Sequence, residues 1–291
     1  MNGINTALLK IAYSENEPMN KHTTFRIGGP ADLFVCPTNT EQLKRVFGLD
    51  CDKFVIGNGS NLLFSDDGYR GAVVKYSDCS VEVSENEIIC GAGALMSKIA
   101  SVAYENSLAG FEFASGIPGT IGGGVRMNAG AYGSSLDSVV YETEYLDAND
   151  GTIKTISGKE HCFDYRHSVF CEDAKKIITK VRIKLKRGEK SEIKALTDDY
   201  TNRRRTKQPL CYPSAGSVFK RPEGYFAGAL IEQSGLKGFS VGGAQVSELH
   251  AGFIINTGGA SADDVKKLIE HIQNTVYKNF GLMLECEICI L

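Results

Sequence analysis

The segment Gly57–Leu62 has the residue types and spacing to bind a phosphate group. Its letters are GNGSNL, and the apolar run Phe54–Ile56 before it predicts a short buried strand. A Gly-Asn-Gly-Ser-Asn turn directly after a strand exposes consecutive backbone N–H groups, which suit phosphate oxygens. The third glycine of the dinucleotide fingerprint is missing, and no clear helix follows. A tight turn between two strands therefore remains the alternative reading of this segment.

A second segment with possible chemistry is Glu112–Gly133, EFASGIPGTIGGGVRMNAGAYG. Nearly a third of it is glycine, so we predict that it forms no regular helix. Apolar residues such as Ile117 and Val125 are interleaved with the glycines, which is not typical of a disordered linker. Because glycine lets the backbone pass where a Cβ would collide, we predict a wall of a cofactor site. A third loop of small residues, Ser214–Ser217, could face the same ligand.

Motifs for other kinds of chemistry are absent from the sequence. There is no HExxH, no pair of CxxC motifs, no P-loop and no GxSxG nucleophile elbow. Cys286 and Cys289 form a lone CxxC in a segment of alternating polarity, which predicts a strand with the thiols on opposite faces. We expect reduced thiols and no metal site. Glycine-rich loops with few catalytic side chains favour an enzyme whose cofactor performs the chemistry.

Composition narrows the class of protein further. The 291 residues favour two or three domains, and 42% hydrophobic with 23% charged residues is ordinary for a soluble enzyme. The net charge of -3 argues against a general binder of nucleic acids or membrane surfaces. The N-terminus shows no signal peptide, so we expect a cytoplasmic protein. The basic run Arg203–Lys207 is either a phosphate-binding edge or a solvated helix end.

Periodicity predicts a mixture of helices and strands. Thr38–Gly48 reads as a helix capped by Thr38 or Thr40, and another helix follows Gly91–Gly93 and ends near Asn106. The predicted strands include Ala72–Tyr76, Ser80–Ser84, Glu87–Cys90, Val139–Leu146, Ile153–Ile156, Ile177–Leu185 and a terminal strand Leu284–Leu291. Near the C-terminus, Ser261 and Asp264 predict a capping box for a helix whose inner stripe is Val265, Leu268, Ile269, Ile272 and Val276. We place a domain boundary in Lys186–Ser191 or near Asn202.

Six motifs occur in an order that resembles one known family. They are Thr24-Phe-Arg26-Ile-Gly28-Gly29, Ile56–Leu62, Gly116–Gly123, Met127–Gly133, Tyr165-Arg166-x-Ser168 and Gly216-Ser217-x-Phe219-Lys220. In this order they resemble the UDP-N-acetylenolpyruvoylglucosamine reductases, and in chain length they resemble the family's shorter subclass. The resemblance runs from about Thr23 to the end of the chain.

The resemblance implies an α+β fold with a two-part FAD-binding module of the vanillyl-alcohol-oxidase (PCMH) type. Its parts would be residues 1–76 and 77–202, and residues 203–291 would form a smaller α/β substrate-binding domain. FAD would be bound non-covalently. NADPH would reduce the flavin, and the enolpyruvyl ether would then take a hydride from flavin N5 to give UDP-N-acetylmuramate for peptidoglycan. The implied partners are NADPH and the UDP-sugar, without nucleic acid or membrane, and we expect a monomer.

Three catalytic residues are implied by the family's motifs. Arg166 would contact the enolpyruvyl carboxylate and stabilise the charge formed on hydride addition, which suits a planar, permanently charged guanidinium. A structural ion pair of Arg166 with Asp164 or Glu172 is the alternative. Ser217 would protonate the substrate carbon, and Glu287 would help Arg166 organise charge or tune Ser217. Since Glu285 and Glu287 would share one strand face, the sequence alone does not choose between them.

The resemblance also implies binding residues. Those expected at FAD are Gly57, Asn58, Gly59, Ser60, Asn61, Leu62, Ile117, Pro118, Gly119, Thr120 and Gly123. Those expected at the substrate are Tyr132, Arg204 and Lys220, the last two through the UDP phosphates. The chain departs from the family at Cys286 and Cys289, where proline and arginine are usual, and at Arg221, where many relatives have asparagine.

Two other functions remain open at this point. Another flavin oxidoreductase of the same fold could act on a different substrate. A non-enzymatic module could bind nucleotide-sugars or nucleic acid through Arg203–Lys207, with an affinity that falls as salt rises.

Overall fold

The computed structural model describes residues 11–291 of the chain. These residues form two compact units, and each unit is made of several segments of the chain. Unit 1 contains residues 11–14, Leu33–Asn58 and Gly71–Arg203, and unit 2 contains Glu15–Asp32, Gly59–Arg70 and Arg204–Leu291. Residues 1–10, on which part of the predictions for the N-terminus fall, lie outside the described residues. Across residues 11–291, no helix has both the length and the apolar character needed to span a membrane.

Mixed secondary structure confirms the α+β class. The helices are α1 (Thr40–Phe47), α2 (Met96–Glu105), α3 (Ile121–Arg126), α4 (Val169–Glu172), α5 (Lys190–Lys207), α6 (Ala227–Gln233) and α7 (Ala262–Phe280). The strands are β1 (Tyr13–Pro18), β2 (Pro30–Val35), β3 (Lys53–Ile56), β4 (Leu62–Leu63), β5 (Tyr69–Lys75), β6 (Val81–Ser84), β7 (Glu87–Gly91), β8 (Leu108–Ala109), β9 (Gly130–Ala131), β10 (Ser134–Ser135), β11 (Val140–Asp147), β12 (Thr152–Ser157), β13 (Lys176–Lys184), β14 (Lys186–Arg187), β15 (Ser214–Ser217), β16 (Ser240–Val241), β17 (Ala244–Val246), β18 (Phe253–Asn256) and β19 (Cys289–Ile290).

Unit 1 is built around an antiparallel five-stranded sheet in the order β12-β11-β13-β7-β6. The predicted strand Ile177–Leu185 largely matches β13, and its alternate residues Val181, Ile183 and Leu185 are buried in the core of this unit. Helices α2 and α3 contribute Ile99 and Val125 to the same core. Strand β3 also pairs in parallel with residues 72–75 of β5 in this unit.

Unit 2 has its own core under an antiparallel sheet in the order β15-β18-β17-β16. The predicted inner stripe of α7 is confirmed, since its members are at most 5% exposed: Val265, Leu268, Ile269, Ile272 and Val276. The predicted capping box at Ser261 and Asp264 is also present. Short strand β19 pairs in parallel with β4.

Three details differ from the sequence-based predictions. The N-cap of α1 is Asn39, whose side chain accepts the N–H of Gln42, and not Thr38 or Thr40. The terminal strand is short, because only Cys289–Ile290 forms a ladder and Cys286 adds an isolated bridge to Phe219. Finally, Ile121–Arg126 is helical although three of its residues are glycine. Tertiary packing overrides helix propensity there.

Asp264 supplies a testable pH dependence of the stability of unit 2. Its carboxylate accepts the N–H groups of Ser261 at 3.1 Å and Gly243 at 3.2 Å. These hydrogen bonds, chiefly the one from Ser261, lower the pKa of the Asp264 carboxyl. A carboxyl whose pKa is lower in the folded than in the unfolded chain stabilises the fold above the unfolded value of about 3.9, and the stabilisation is lost as pH falls further.

We therefore expect Asp264→Asn to lower the free energy of unfolding at pH 7 by about 1 kcal/mol, because a neutral amide loses the attraction of the carboxylate to the N-terminal turn of α7. The difference from the parent should shrink as pH falls through about 4. Urea unfolding at pH 7, 5 and 3.5 measures it. The exposed pair Asp263–Lys267, 2.7 Å apart, provides the control Asp263→Asn. A difference that stays constant with pH would contradict the assignment.

Candidate active site

The turn after β3 lies against the glycine-rich stretch in unit 1. Asn58 Nδ2 donates a hydrogen bond to the carbonyl oxygen of Pro118 at 2.8 Å. A Cβ added at Gly57 would come within 2.5 Å of Thr120 Oγ1, so a larger residue would separate the two segments. Two of the loops predicted from the sequence as cofactor walls are therefore neighbours.

The continuation of this turn is fixed in unit 2. Gly59 has a φ of +64°, and a Cβ there would lie 2.1 Å from the carbonyl oxygen of His22. Ser214–Ser217, predicted as a third loop, forms strand β15 instead, because it pairs with β18. Thr24 connects the turn to this strand, since its N–H donates to Gly59 O at 3.2 Å and its Oγ1 donates to Ser214 O at 2.7 Å. The sequence-based assignment of site residues did not include Thr24. Its only signal was membership of the first motif.

Gly122 and Gly123 have different reasons to be glycine. A Cβ on Gly122 would lie 2.8 Å from the Cβ of Ala92, so the packing of α3 in unit 1 requires glycine. A Cβ on Gly123 would meet Thr120 Oγ1 at 3.5 Å, which is ordinary van der Waals contact. Contacts within the protein therefore do not require glycine at position 123. A ligand lying against this backbone would require it, because a Cβ would collide with the ligand.

Ser115, at the start of the same stretch, has a buried hydroxyl. Its Oγ has no hydrogen-bond partner, and it is the only buried side-chain N or O atom within residues 11–291 of which this is true. Buried polar groups are nearly always hydrogen-bonded, so an orphaned hydroxyl at a predicted cofactor wall fits a ligand that bonds to it. The sequence-based assignment also omitted Ser115, because serine is common in loops and nothing in the pattern distinguishes it.

Arg166 lies in a tight turn of unit 1. Asp164 and His167 exchange two backbone N–H···O bonds of 3.2 Å, and Arg166 between them has a φ of +55°. Its guanidinium carbon is 5.1 Å from the centre of the Tyr165 ring, within cation–π range. Glu172 is one of the alternative ion-pair partners of Arg166. Its carboxylate lies 3.1 Å from His167 Nε2, within hydrogen-bond distance. Within residues 11–291, Arg166 is one of eight residues other than glycine with a positive φ.

Ser217 and Glu287 lie on adjacent chain segments of unit 2. Ser217 ends β15 directly after Gly216, whose φ is +80°. The N–H of Glu287 donates to the carbonyl oxygen of Val218 at 2.7 Å, so the residue after Ser217 is bonded to Glu287. Asn61 Nδ2 donates to the carbonyl oxygen of Glu287 at 3.1 Å. Asn61, predicted to bind FAD, therefore also supports the segment that carries Glu287.

The structure distinguishes the two glutamates that the sequence could not. Glu285 is exposed, and its carboxylate pairs with Lys220 Nζ at 3.2 Å. Glu287 is half-buried. Lys220, predicted to contact a UDP phosphate, thus has a carboxylate partner and is 42% exposed.

The two remaining predicted substrate residues have different surroundings. Tyr132 stacks on Tyr200 with ring centres 4.2 Å apart, and its hydroxyl donates to the carbonyl oxygen of Tyr200 at 2.9 Å. Arg204 lies in the last turns of α5 together with Arg205 and Lys207, where cations complement the helix dipole. The basic run is thus a helix end, as one of its two sequence interpretations predicts.

All nine cysteines lie within residues 11–291, and none of them is joined in a disulfide. Cys286 is half-buried, and burial raises the pKa of its thiol, whereas Cys289 is exposed. No group of three or more potential metal ligands occurs within residues 11–291.

Comparison with known proteins identifies the class and then the family. Residues 31–157 match the FAD binding domain family, and residues 208–291 match the family described as UDP-N-acetylenolpyruvoylglucosamine reductase, C-terminal domain. The chain is thus a flavoprotein with an FAD-binding domain and a distinct C-terminal domain. It belongs to the UDP-N-acetylenolpyruvoylglucosamine reductase family, whose members are FAD-dependent oxidoreductases. The resemblance noted from the six motifs is confirmed.

Individual relatives cover nearly the whole chain. The reductase of Caldanaerobacter subterraneus subsp. tengcongensis is 51% identical over 95% of this chain and 92% of its own length. That of Clostridioides difficile is 47% identical with the same coverage of both chains. Among solved structures, the reductase from Thermus caldophilus matches with a TM-score of 0.85 and 32% identity, over 97% of this chain and 98% of that one.

The two adjacent glycines provide a test of the cofactor wall. We expect Gly122→Ala to destabilise the apoprotein by roughly 1–3 kcal/mol, because it overpacks the contact with Ala92. Gly123→Ala should leave apoprotein stability unchanged or slightly raised, since alanine is the better helix former, but should weaken FAD binding. Thermal unfolding without flavin and titration of the apoprotein with FAD separate the two effects. Equal FAD affinity of Gly123→Ala and the parent would remove Gly123 from the cofactor wall.

Ser115 gives an independent test of the same wall. Ser115→Ala removes a hydroxyl that has no protein partner, so the apoprotein should be as stable as the parent or more stable. If FAD bonds to this hydroxyl, the dissociation constant for FAD should rise by roughly three- to tenfold, the usual value of one hydrogen bond. Ser101→Ala on the exposed face of α2 is the control. An unchanged affinity for FAD would show that the hydroxyl does not bond the cofactor.

Proposed function

We propose that this chain reduces UDP-N-acetylenolpyruvoylglucosamine to UDP-N-acetylmuramate, with FAD as bound cofactor and NADPH as hydride donor. The observation that carries the proposal is the near 50% identity, over 95% of the chain, to proteins named as this reductase. Bound FAD would relay a hydride from NADPH to the substrate. The residues that fit FAD are the small ones of the two neighbouring loops, with Gly57, Asn58, Thr120 and Gly123 among them, together with the orphaned hydroxyl of Ser115.

Arg166 is proposed to bind the carboxylate of the enolpyruvyl group. A guanidinium offers planar, paired donors to a carboxylate and stays charged at all relevant pH values. Adding a hydride to the enol ether places negative charge next to this carboxylate, and a fixed cation stabilises that charge. The left-handed turn at Arg166 supports the assignment, because such strain is concentrated at functional sites.

Ser217 is proposed to donate the proton that completes the reduction. An unperturbed hydroxyl is a poor acid, so a neighbouring group must assist it. Glu287 is our candidate, because its backbone is bonded to Val218, the residue after Ser217. Tyr132, Arg204 and Lys220 are proposed to contact the UDP-sugar, the two cations through its phosphates. Substrate binding would then compete with Glu285 for Lys220.

We also propose the working context of the enzyme. Residues 1–76 and 77–202 would form the two parts of the FAD module, and residues 203–291 would bind the substrate. Since UDP-sugars and NADPH are cytoplasmic metabolites, we propose that the enzyme acts in the cytoplasm in peptidoglycan synthesis. We propose that it acts as a monomer, which light scattering of the FAD-loaded protein at micromolar concentration tests.

The function predicts two separable half-reactions. NADPH should bleach the flavin absorbance of the purified protein without oxygen, and UDP-N-acetylenolpyruvoylglucosamine should restore it. Ser217→Ala should leave the first step within about twofold and slow the second by roughly 100-fold or more, the lower range for removing a proton donor. Stopped-flow absorbance near 450 nm measures both, with Ser240→Ala as the control. Equal slowing of both steps would contradict the role of Ser217, and a parent protein not reoxidised by this sugar would overturn the proposed function.

A further inference from the structure

Both ends of the Arg166 turn are bonded to one short segment that follows α3. Asn128 Nδ2 donates to the carbonyl oxygen of Asp164 at 3.1 Å, just before the turn. Ser168 Oγ donates to the carbonyl oxygen of Arg126 at 2.7 Å, just after it. All these residues belong to unit 1. The turn is thus clamped on both sides by residues 126–128, at the end of the glycine-rich helix.

The side chains of Asn128 and Ser168 are buried, and their polar atoms are hydrogen-bonded. Asn128 is 4% exposed, and its Oδ1 accepts the N–H of Asp137 at 3.0 Å, so each end of its amide has a partner. Ser168 is fully buried and occupies the N-cap position of α4, yet its side chain makes no cap hydrogen bond. Its hydroxyl bonds to Arg126 O instead. The ordinary role of a serine before a helix, capping, therefore does not explain it.

The turn depends on such support. It consists of an isolated bridge between Asp164 and His167 with no strand ladder on either side. Arg166 has a φ of +55°, and Asn128 itself has a φ of +42°. Left-handed conformations at residues other than glycine persist only where the surroundings hold them in place. The bonds from Asn128 and Ser168 tie the two ends of this turn to the segment after α3.

We propose that Asn128 and Ser168 are positioning residues that hold the Arg166 turn against the segment after α3, and thereby fix the guanidinium for the substrate carboxylate. The inference rests on the proposed function of Arg166. Neither residue needs to touch substrate or cofactor. Their effect arises because a misplacement of a charged group by about 1 Å can cost around 100-fold in rate.

The clamp can be tested without any catalysis. Ser168→Ala removes one bond, and Arg126 O keeps Cys171 Sγ at 2.9 Å as a second partner. Asn128→Asp keeps the acceptor for Asp137 and removes the donor to Asp164. In the FAD-loaded enzyme, hydrogen exchange at the Asp164 and His167 amides should become roughly tenfold faster in each variant. Unchanged exchange in both variants overturns the clamp. If Asn128→Asp does not fold, the result for Ser168→Ala decides the test.

Thr179→Val is the matched control. Thr179 is equally buried in unit 1 and its Oγ1 donates to Glu144 at 2.8 Å, but it lies on β13 and has no bond to the turn. The control should lose stability without faster exchange at Asp164 and His167. If Thr179→Val accelerates those amides as much as Ser168→Ala does, the effect is general destabilisation and the proposal fails.

The catalytic consequence is tested by half-reactions and a double-mutant cycle. Ser168→Ala should slow flavin reoxidation by UDP-N-acetylenolpyruvoylglucosamine by tenfold or more and leave reduction by NADPH within about twofold. In an Arg166→Lys background, Ser168→Ala should have little further effect, because it acts only through the arginine. Additive effects, or equal slowing of both half-reactions, overturn the positioning role. That failure is distinct from failure of the proposed function, in which the parent enzyme itself is not reoxidised by the sugar.

Discussion

The close approach of the glycine-rich backbone to the loop before α2 is the constraint on which the cofactor wall depends. The N–H groups of Ile121 and Gly122 donate to Ala94 O at 2.8 Å and Ala92 O at 3.0 Å, and Gly119 O accepts from Met96 N at 3.0 Å. A Cβ at Gly122 would meet Ala92, so these bonds require the absence of a side chain there. Once the backbone is fixed, Thr120 caps α3 and Gly123 is left on a face where the protein leaves room. The same helix ends at the residues that hold the Arg166 turn.

The sequence predicted the elements whose cause is local. The stripe of α7 and its capping box follow from a 3.6-residue period and from two polar residues at the right offset. The alternation of β13 follows from a buried and an exposed face. The prediction that Glu112–Gly133 forms no regular helix was wrong at Ile121–Arg126, because propensity counts glycine as unfavourable for a helix but does not count the packing it permits. The N-cap at Asn39 was missed among three adjacent polar residues that are all good caps.

The site residues also divide into those that the sequence predicted and those that it missed. Motif order was sufficient for the family, and it led to the proposal of Arg166, Ser217 and Glu287 as catalytic residues. What it could not give were the residues that support them. Asn128 acts through Asp164, 36 positions away, and Asn61 acts through Glu287, 226 positions away. Such partnerships depend on how the chain folds back on itself, and a single sequence contains no record of them.

The register around Glu287 explains why the unusual Cys286 and Cys289 are compatible with the fold. The segment pairs with Val218–Lys220 through bonds made by its flanking residues, since Glu287 N donates to Val218 O and Lys220 N donates to Glu285 O. Cys286 bridges Phe219 between these bonds, at a position of an antiparallel pair that makes no ladder bond to its partner. A proline, which the family resemblance leads one to expect here, lacks an N–H and would suit this position equally. Cys289 donates its backbone N–H to Asn61 O at 2.9 Å, a bond that arginine and cysteine can both make. The backbone therefore fixes the position of Glu287, and neither substitution disturbs the bonds that do so.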